Sequence, residues 1–412
     1  MSAPVAHAGS VPSPDVADLD IAIDARSEPD STPAGLISRE FLILAAAAAC
    51  YFLAAGALNA LIPTFVVDEL GGTEATSGFV MGSFAISALL TRPFFGRMAD
   101  RSGARRLLTI GGCLAAVSML VVLAVPTVAG TVASRLVLGG GGAAVMTGAT
   151  LLSVEIAPAS RRSQAASYIL IAFHVGLGLG PLAGEAILDS TSYTTVWWIV
   201  GITAFAAAAI SRLLPHRVRE RDDRPAAPLI YAAAVPAGIV TLFGVFGFNG
   251  FLQFAPLYGR EIGLSDTGLL FTAASLTIVA VRLVFGGVPD RIGPIRAGTG
   301  ALLVSFVASV LVGLWATPAG AFIGAGLLAC GLSLQSPSFM AIAIEGVDER
   351  DRGSAMATYT AFFDVANAVV GPAIGVTVTL SGYRPAFLAT GVMALIGLAV
   401  LRLSIAPRRR TA

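Results

Sequence analysis

The sequence predicts an all-α membrane protein of twelve transmembrane helices, built as two six-helix halves related by pseudo-symmetry. Three observations carry the prediction. Hydrophobic residues make up 56% of the chain and charged residues only 12%, where a soluble domain carries about 25% charged residues. Apolar runs of about 20 residues recur from Phe41 to Ile405, and each is long enough to cross a bilayer's hydrocarbon core. Finally, Asn59, Arg92, Gly96, Asp100, Arg101, Gly103, Arg106 and Glu155 recur as Asn249, Arg282, Gly286, Asp290, Arg291, Gly293, Arg296 and Glu345, at a constant offset of 190 positions. Such self-similarity marks a duplicated unit. The matched residues are polar or glycine, the types that cost most in lipid, so the repeat is not an accident of greasy composition.

Taken in order, residues 1–38 are rich in Ala, Pro, Ser and Asp. They lack the apolar content to bury a core and are expected to be a disordered cytoplasmic tail. They also lack the basic start and short apolar stretch of a signal peptide. The first half (39–214) reads as spans at 41–66, 77–98, 105–125, 130–155, 164–188 and 193–214. Residues 215–228 form a polar linker with Arg217, Arg219, Arg221 and Arg224. The second half (229–405) reads as spans at 229–257, 267–288, 297–316, 319–345, 354–380 and 384–404, and 406–412 is a basic cytoplasmic tail.

Orientation follows from arginine, which supplies all 26 basic residues. One set of connections holds Arg97, Arg101, Arg105, Arg106, Arg161, Arg162, the linker arginines, Arg291, Arg296, Arg350, Arg352 and Arg408 to Arg410. The opposite set holds Asp68, Glu69, Glu74, Arg260, Glu261 and Arg384. Cytoplasmic loops are enriched in basic residues, so both termini are expected in the cytoplasm. The three cysteines, Cys50, Cys113 and Cys330, lie within apolar runs and read as packing residues. The three histidines are far apart in sequence, and neither a metal nor a cofactor is expected.

The segment after the second span reads Arg92-Pro93-Phe94-Phe95-Gly96-Arg97-Met98-Ala99-Asp100-Arg101-Ser102-Gly103-Ala104-Arg105-Arg106. Its second copy, Arg282 to Arg296, keeps Gly286, Asp290, Arg291 and Gly293 but adds Pro289 and Pro294 and ends on one Arg. The spacing resembles the loop signature of the Major Facilitator Superfamily, and the likeness extends over about residues 40–405. It implies two six-helix bundles around a central cavity, working by alternating access. On physical grounds, Gly96 and Gly103 are expected to let helix ends approach and turn tightly. Asp100 is expected to dock on the positive N-terminus of a helix from the other half, near Ser354.

Other polar residues lie inside the spans. In the fifth, Gly176, Gly180 and Gly184 form one small-residue stripe, suited to close helix contact. His174, Gly178, Pro181 and Glu185 form roughly the opposite stripe. Gly180-Pro181 recurs as Gly371-Pro372. The run resembles a glycine-proline signature associated with proton-driven exporters, with Glu185 standing where that signature has a second Gly. Arg135, four residues before Gly139 to Gly142 in the fourth span, resembles another exporter signature. It lies at a depth similar to Glu185, so the two are expected to be able to pair. Ala325 stands where Arg135 would map in the second half. The eleventh span places Thr360, Asp364, Asn367 and Gly371 on one face, and a mid-membrane acid must find a partner, a cavity or a proton. Asp364, Glu185, Arg135 and His174 are therefore the proton-coupling candidates. Asn59, Asn249, Gln253, Gln335 and Asn367 are the substrate-cavity candidates.

The expected function is secondary active transport, with proton-coupled efflux of a small organic molecule favoured. Proton-coupled uptake of a metabolite, sugar or organic acid is the alternative, with Arg135 then a substrate counter-ion. No nucleotide-binding phosphate loop occurs, which argues against an ATP-driven pump. A membrane enzyme would need a nucleophile, base or metal constellation, and none is legible. A non-transporting sensor would be expected to add a soluble domain. The expected partners are a small-molecule substrate, protons and the bilayer of a bacterial inner membrane. Nucleic acid is not among them, and the expected state is a monomer.

Overall fold

A computed structural model describes residues 38–158, 161–215, 230–348 and 351–405; within these, the side chains of Asp100 and Ser163 lie outside the description. The amino-terminal tail, most of the linker and the basic carboxyl-terminal tail also fall outside it. All regular structure among the described residues is helical. Twelve helical spans are long and apolar enough to cross a membrane.

In the first half these are α1 (Arg39–Asp68), α2 (Glu74–Ser102), α3 (Ala104–Ala124), α4 (Val128–Ile156), α5 (Arg162–Ser190) and α6 (Tyr193–Ser211). In the second half the seventh span is two helices, α7 (Val235–Gly244) and α8 (Phe246–Glu261), behind a 3-10 turn at Ala232–Ala234. The rest are α9 (Gly268–Phe285), the short α10 (Val288–Ile292), α11 (Pro294–Leu314), α12 (Pro318–Ile344), α13 (Arg352–Ser381) and α14 (Tyr383–Val400).

Capping residues in the short loops fix where these helices start. Ser38 Oγ accepts from Phe41 N at 3.1 Å, and Thr127 Oγ1 accepts from Gly130 N at 3.1 Å. Thr317 Oγ1 accepts from Gly320 N at 3.2 Å, so the fourth and tenth spans repeat the same cap at the offset of 190. Each satisfies an otherwise free first-turn N–H at the entry to a span.

Two expected boundaries need correction. The segment from Arg92 onward is not a loop: α2 continues as helix to Ser102 and turns only at Gly103, with φ 79° and ψ 151°. Gly96 therefore lies within α2, and nothing stands within 4 Å of where a Cβ would be. It neither ends a helix nor admits a neighbour. In the second copy, α9 stops at Phe285 and α10 follows, because Pro289 has no N–H to continue the ladder. Gly293 then turns with φ 86° and ψ 146°, the same left-handed conformation as Gly103. The seventh span, expected as one helix, is interrupted at Val245 between Gly244 and Gly247.

The two halves meet along α2 with α13 and along α5 with α9. Gly78 and Gly371 face each other so closely that a Cβ on either would strike the other's carbonyl oxygen. A Cβ on Gly375 would strike the Glu74 carbonyl in the same way. On the other side Thr272 Oγ1 donates to Gly178 O at 2.9 Å. Inside the first half, a Cβ on Gly176 or Gly180 would meet α1 at Phe52, Leu53 and Ala57. Lipid tails are as apolar as leucine, so this close fit, not water expulsion, holds the helices together.

Candidate functional site

Charges buried between the halves define the candidate site. Arg92, on α2, sits with its Nη2 2.8 Å from Asp364 Oδ2 and donates to Oδ1 at 2.9 Å. The two residues belong to different halves. Arg92 keeps 38% of its side-chain exposure while Asp364 keeps 10%, so the carboxylate is enclosed and the arginine is partly open, with its Nε buried and without a partner. Sequence reading singled out Asp364 without this partner. The available signal was Arg92 itself, a duplicated cation inside an apolar run.

Glu185 and Arg135 do not pair here. Glu185 crosses to the other half instead, where its carboxylate accepts from Gly268 N at 2.6 Å and from the Thr267 hydroxyl. It thus caps the N-terminus of α9, where free N–H groups and the helix dipole favour an anion. A helix-end contact across the halves was expected of Asp100, whose side chain lies outside the described residues. Nearby, Arg260 Nη1 meets Asp68 Oδ2 at 2.5 Å, and Tyr193 donates to Thr64 Oγ1 at 3.0 Å. Glu185, Thr267, Thr64 and Arg260, together with Asp189 and Ser265, line a small cavity between the ends of α1, α5 and α8.

Arg135 is 3% exposed. Its Nη2 donates to Met81 Sδ at 3.3 Å, its guanidinium lies 5.1 Å from the Phe84 ring centroid, and its Nε finds no partner. His174 is buried, with Nδ1 2.7 Å from Leu170 O. A carbonyl can only accept, so Nδ1 carries the proton in that contact.

The amide candidates separate. Asn249 Nδ2 donates to Asn367 Oδ1 at 2.8 Å, and Asn367 Nδ2 returns to Phe363 O at 3.1 Å, one network joining α8 to α13. Gln253 has a buried Oε1 with no partner, next to Gly371. Asn59 is half-buried on α1. Gln335 does not line a cavity: it is 1% exposed, and its amide donates to Ser305 Oγ at 2.8 Å inside the second half. Arg101, Arg106, Asp290 and Arg291 are exposed. Among the described residues no cluster of three or more metal-ligating side chains occurs.

Twelve spans, a duplicated architecture and an ion pair across the interface of the halves define a secondary-transporter fold. The family model of the Major Facilitator Superfamily matches residues 44–333 and 266–412, and the chain belongs to that family. It is 29% identical over 365 residues to an uncharacterized MFS-type transporter of Salmonella typhimurium, covering 85% of this chain and 93% of that one. A second uncharacterized MFS-type transporter, from Burkholderia mallei, is 28% identical over 365 residues, covering 85% and 88%. Among solved structures, a bacterial homologue of the human lysosomal transporter Spinster, inward-facing and unoccupied, superposes with a TM-score of 0.74 at 14% identity, covering 90% of this chain and 97% of that one. The human organic anion transporter MFSD10 superposes with a TM-score of 0.68 at 18% identity, covering 88% and 100%. At these identities the structural likeness speaks to fold alone.

Proposed function

We propose that this chain exports a small organic molecule from the cytoplasm by proton-coupled alternating access, in the inner membrane of a bacterium with both termini cytoplasmic. The carrying observation is the Arg92–Asp364 pair, an acid and a cation on opposite halves near the middle of the spans. Rocking the halves apart would draw them apart. Beside Arg92 an ionised carboxylate has a counter-charge; away from it, in a medium poor in water, that support is lost and taking up a proton becomes more favourable. An acid whose proton occupancy differs between two conformations links the proton gradient to the cycle. Export is the preferred direction because the glycine-rich fifth span and Arg135 resemble exporter signatures.

The test compares small molecules retained and released by cells with and without the protein, before and after a protonophore. Export that collapses with the protonophore and with Asp364→Asn is the expected result. Gradient-driven export that persists in Asp364→Asn with unchanged pH dependence overturns the coupling role. Accumulation in place of depletion reverses the direction.

A further inference from the structure

The duplication can be followed onto the surface that faces the lipid. In the first half α3 packs on α6, and in the second α11 packs on α14 at an offset of 190. Each crossing has a glycine at its centre. A Cβ on Gly201 would lie 3.3 Å from Met119 Cβ and 4.0 Å from the Ala116 carbonyl oxygen. A Cβ on Gly391 would lie 3.4 Å from Ser309 Cβ and 3.7 Å from the Phe306 carbonyl oxygen. Gly201, Met119 and Ala116 match Gly391, Ser309 and Phe306 at the offset of 190, so the backbones cross alike and the side chains make the difference. Phe306 brings its ring Cδ2 to 3.4 Å from the Cβ position on Gly391. At the matching place in the first half, Ala116 supplies only a methyl group.

Where that ring is missing, a groove of about 210 Å³ runs between α3 and α6. Met119 and Trp197, 1% and 2% exposed, lie at its floor, and the exposed side chains of Leu120, Trp198, Ile202 and Phe205 stand along its rim. Its lining carries no charge, and the two indoles are its only polar side-chain groups. From Trp198 to Phe205 the groove descends roughly 10 Å along α6, at 1.5 Å per residue. It starts near the end of the bundle opposite the Gly103 turn and points toward mid-span. A second substitution widens it. In the second half Leu388 folds down onto α11, its Cγ 3.0 Å from where a Cβ on Gly313 would be. Leu123 stands in the place of Gly313, so Trp198, which matches Leu388, cannot fold down in the same way and is 51% exposed.

We propose that this groove binds one acyl chain of a bilayer lipid, from the leaflet on that side, in the place that Phe306 fills for the second half. The groove is continuous with the belt of exposed apolar side chains that the spans turn toward hydrocarbon, so a lipid tail reaches it without leaving the membrane. An unfilled trough forfeits dispersion contacts along its lining, and a flexible unbranched chain recovers them. A second copy of the protein does not fit. A stable interface enlists about 20–30 residues a side, whereas nine line this groove. Membrane helices that pack on each other also present small residues, and this rim is built of bulky ones. The lining holds no partner for a headgroup, so the tail and not the headgroup is recognised. Both walls belong to the first half, so the chain rides with that half whichever way the carrier turns.

The experiment uses the purified full chain in detergent with Trp315→Phe, which leaves Trp197 and Trp198 as its only tryptophans. Phosphatidylcholine or phosphatidylglycerol with brominated acyl chains is titrated in, and tryptophan quenching is read against the same lipid without bromine. Quenching should saturate at a single bound lipid per chain, equally for the two headgroups. Ala116→Phe copies the residue of the second half into the groove. It should abolish the saturable quenching and leave the melting temperature at or above that of the parent. Ala116→Leu fills the groove in part and should weaken the quenching, which keeps the test open if the phenylalanine variant does not fold. Quenching that rises linearly with lipid, that depends on the headgroup, or that persists unchanged in the folded Ala116 variants would overturn the proposal. So would light scattering that shows a dimer which Ala116→Phe or Ala116→Leu converts to a monomer, because the groove would then be an interface between copies.

Discussion

Glu185 makes its two contacts on a different half of the molecule, at Gly268 N and the Thr267 hydroxyl. A charged acceptor on a helix N-terminus is worth about 1.5–3 kcal/mol in hydrogen bonding. Glu185→Gln keeps the shape and removes the charge, so the end of the bundle that carries Arg260–Asp68 should part more readily. Spin labels at Thr191 and Ser265, both exposed, would measure this as a larger share of long distances. An unchanged distance distribution would reduce Glu185 to a local cap. Among single residues, Glu185, Arg135, His174 and Asp364 stand out in the sequence, because an ionisable group in an apolar run is legible by itself. Their partners were not legible. Arg92 is 272 positions from Asp364, and Thr267 is 82 positions from Glu185; only the folded chain joins them.

At the level of helices, two glycine contacts that look alike in sequence do different work. Gly176 lies against Phe52 of α1, within one half. Gly78 lies against Gly371 of α13, between halves. Valine at position 176 would force α5 off α1 inside a packed bundle, and overpacking of this kind costs about 1–3 kcal/mol or more. Gly176→Val should therefore lower both the melting temperature and the amount of protein in the membrane. Gly78→Val acts on an interface that must open during transport. It should leave expression and melting near normal, yet bias the same spin-label pair toward separation and slow the cycle. Equal loss of folded protein in both variants would refute this division between static and moving interfaces. A helix end was legible where a left-handed Gly sits, at Gly103 and its repeat Gly293, whereas the capping roles of Thr127 and Thr317 emerge from the structure. The break at Val245 and the helical run through Gly96 were not legible either, since neither carries a residue that forces the outcome.

For the whole molecule, the arginine asymmetry predicts which end faces the cytoplasm. Single cysteines placed from Gly71 to Thr76 should react with an impermeant thiol reagent added outside intact cells, and cysteines placed from Arg217 to Arg224 should not. Labelling of the linker from outside would invert the orientation and with it the direction of transport. Span number, duplication and membership of a transporter family follow from the sequence alone, because hydrocarbon thickness sets helix length and a repeat is a property of the string. The tertiary structure decided something else: which buried charges meet across the halves, which glycines admit a neighbour, and whether Arg135 meets an acid. Those outcomes depend on how α2 and α5 of one half lie against α13 and α9 of the other. Residues about 80 to 300 positions apart are brought within a few ångströms there, and no local pattern encodes that placement.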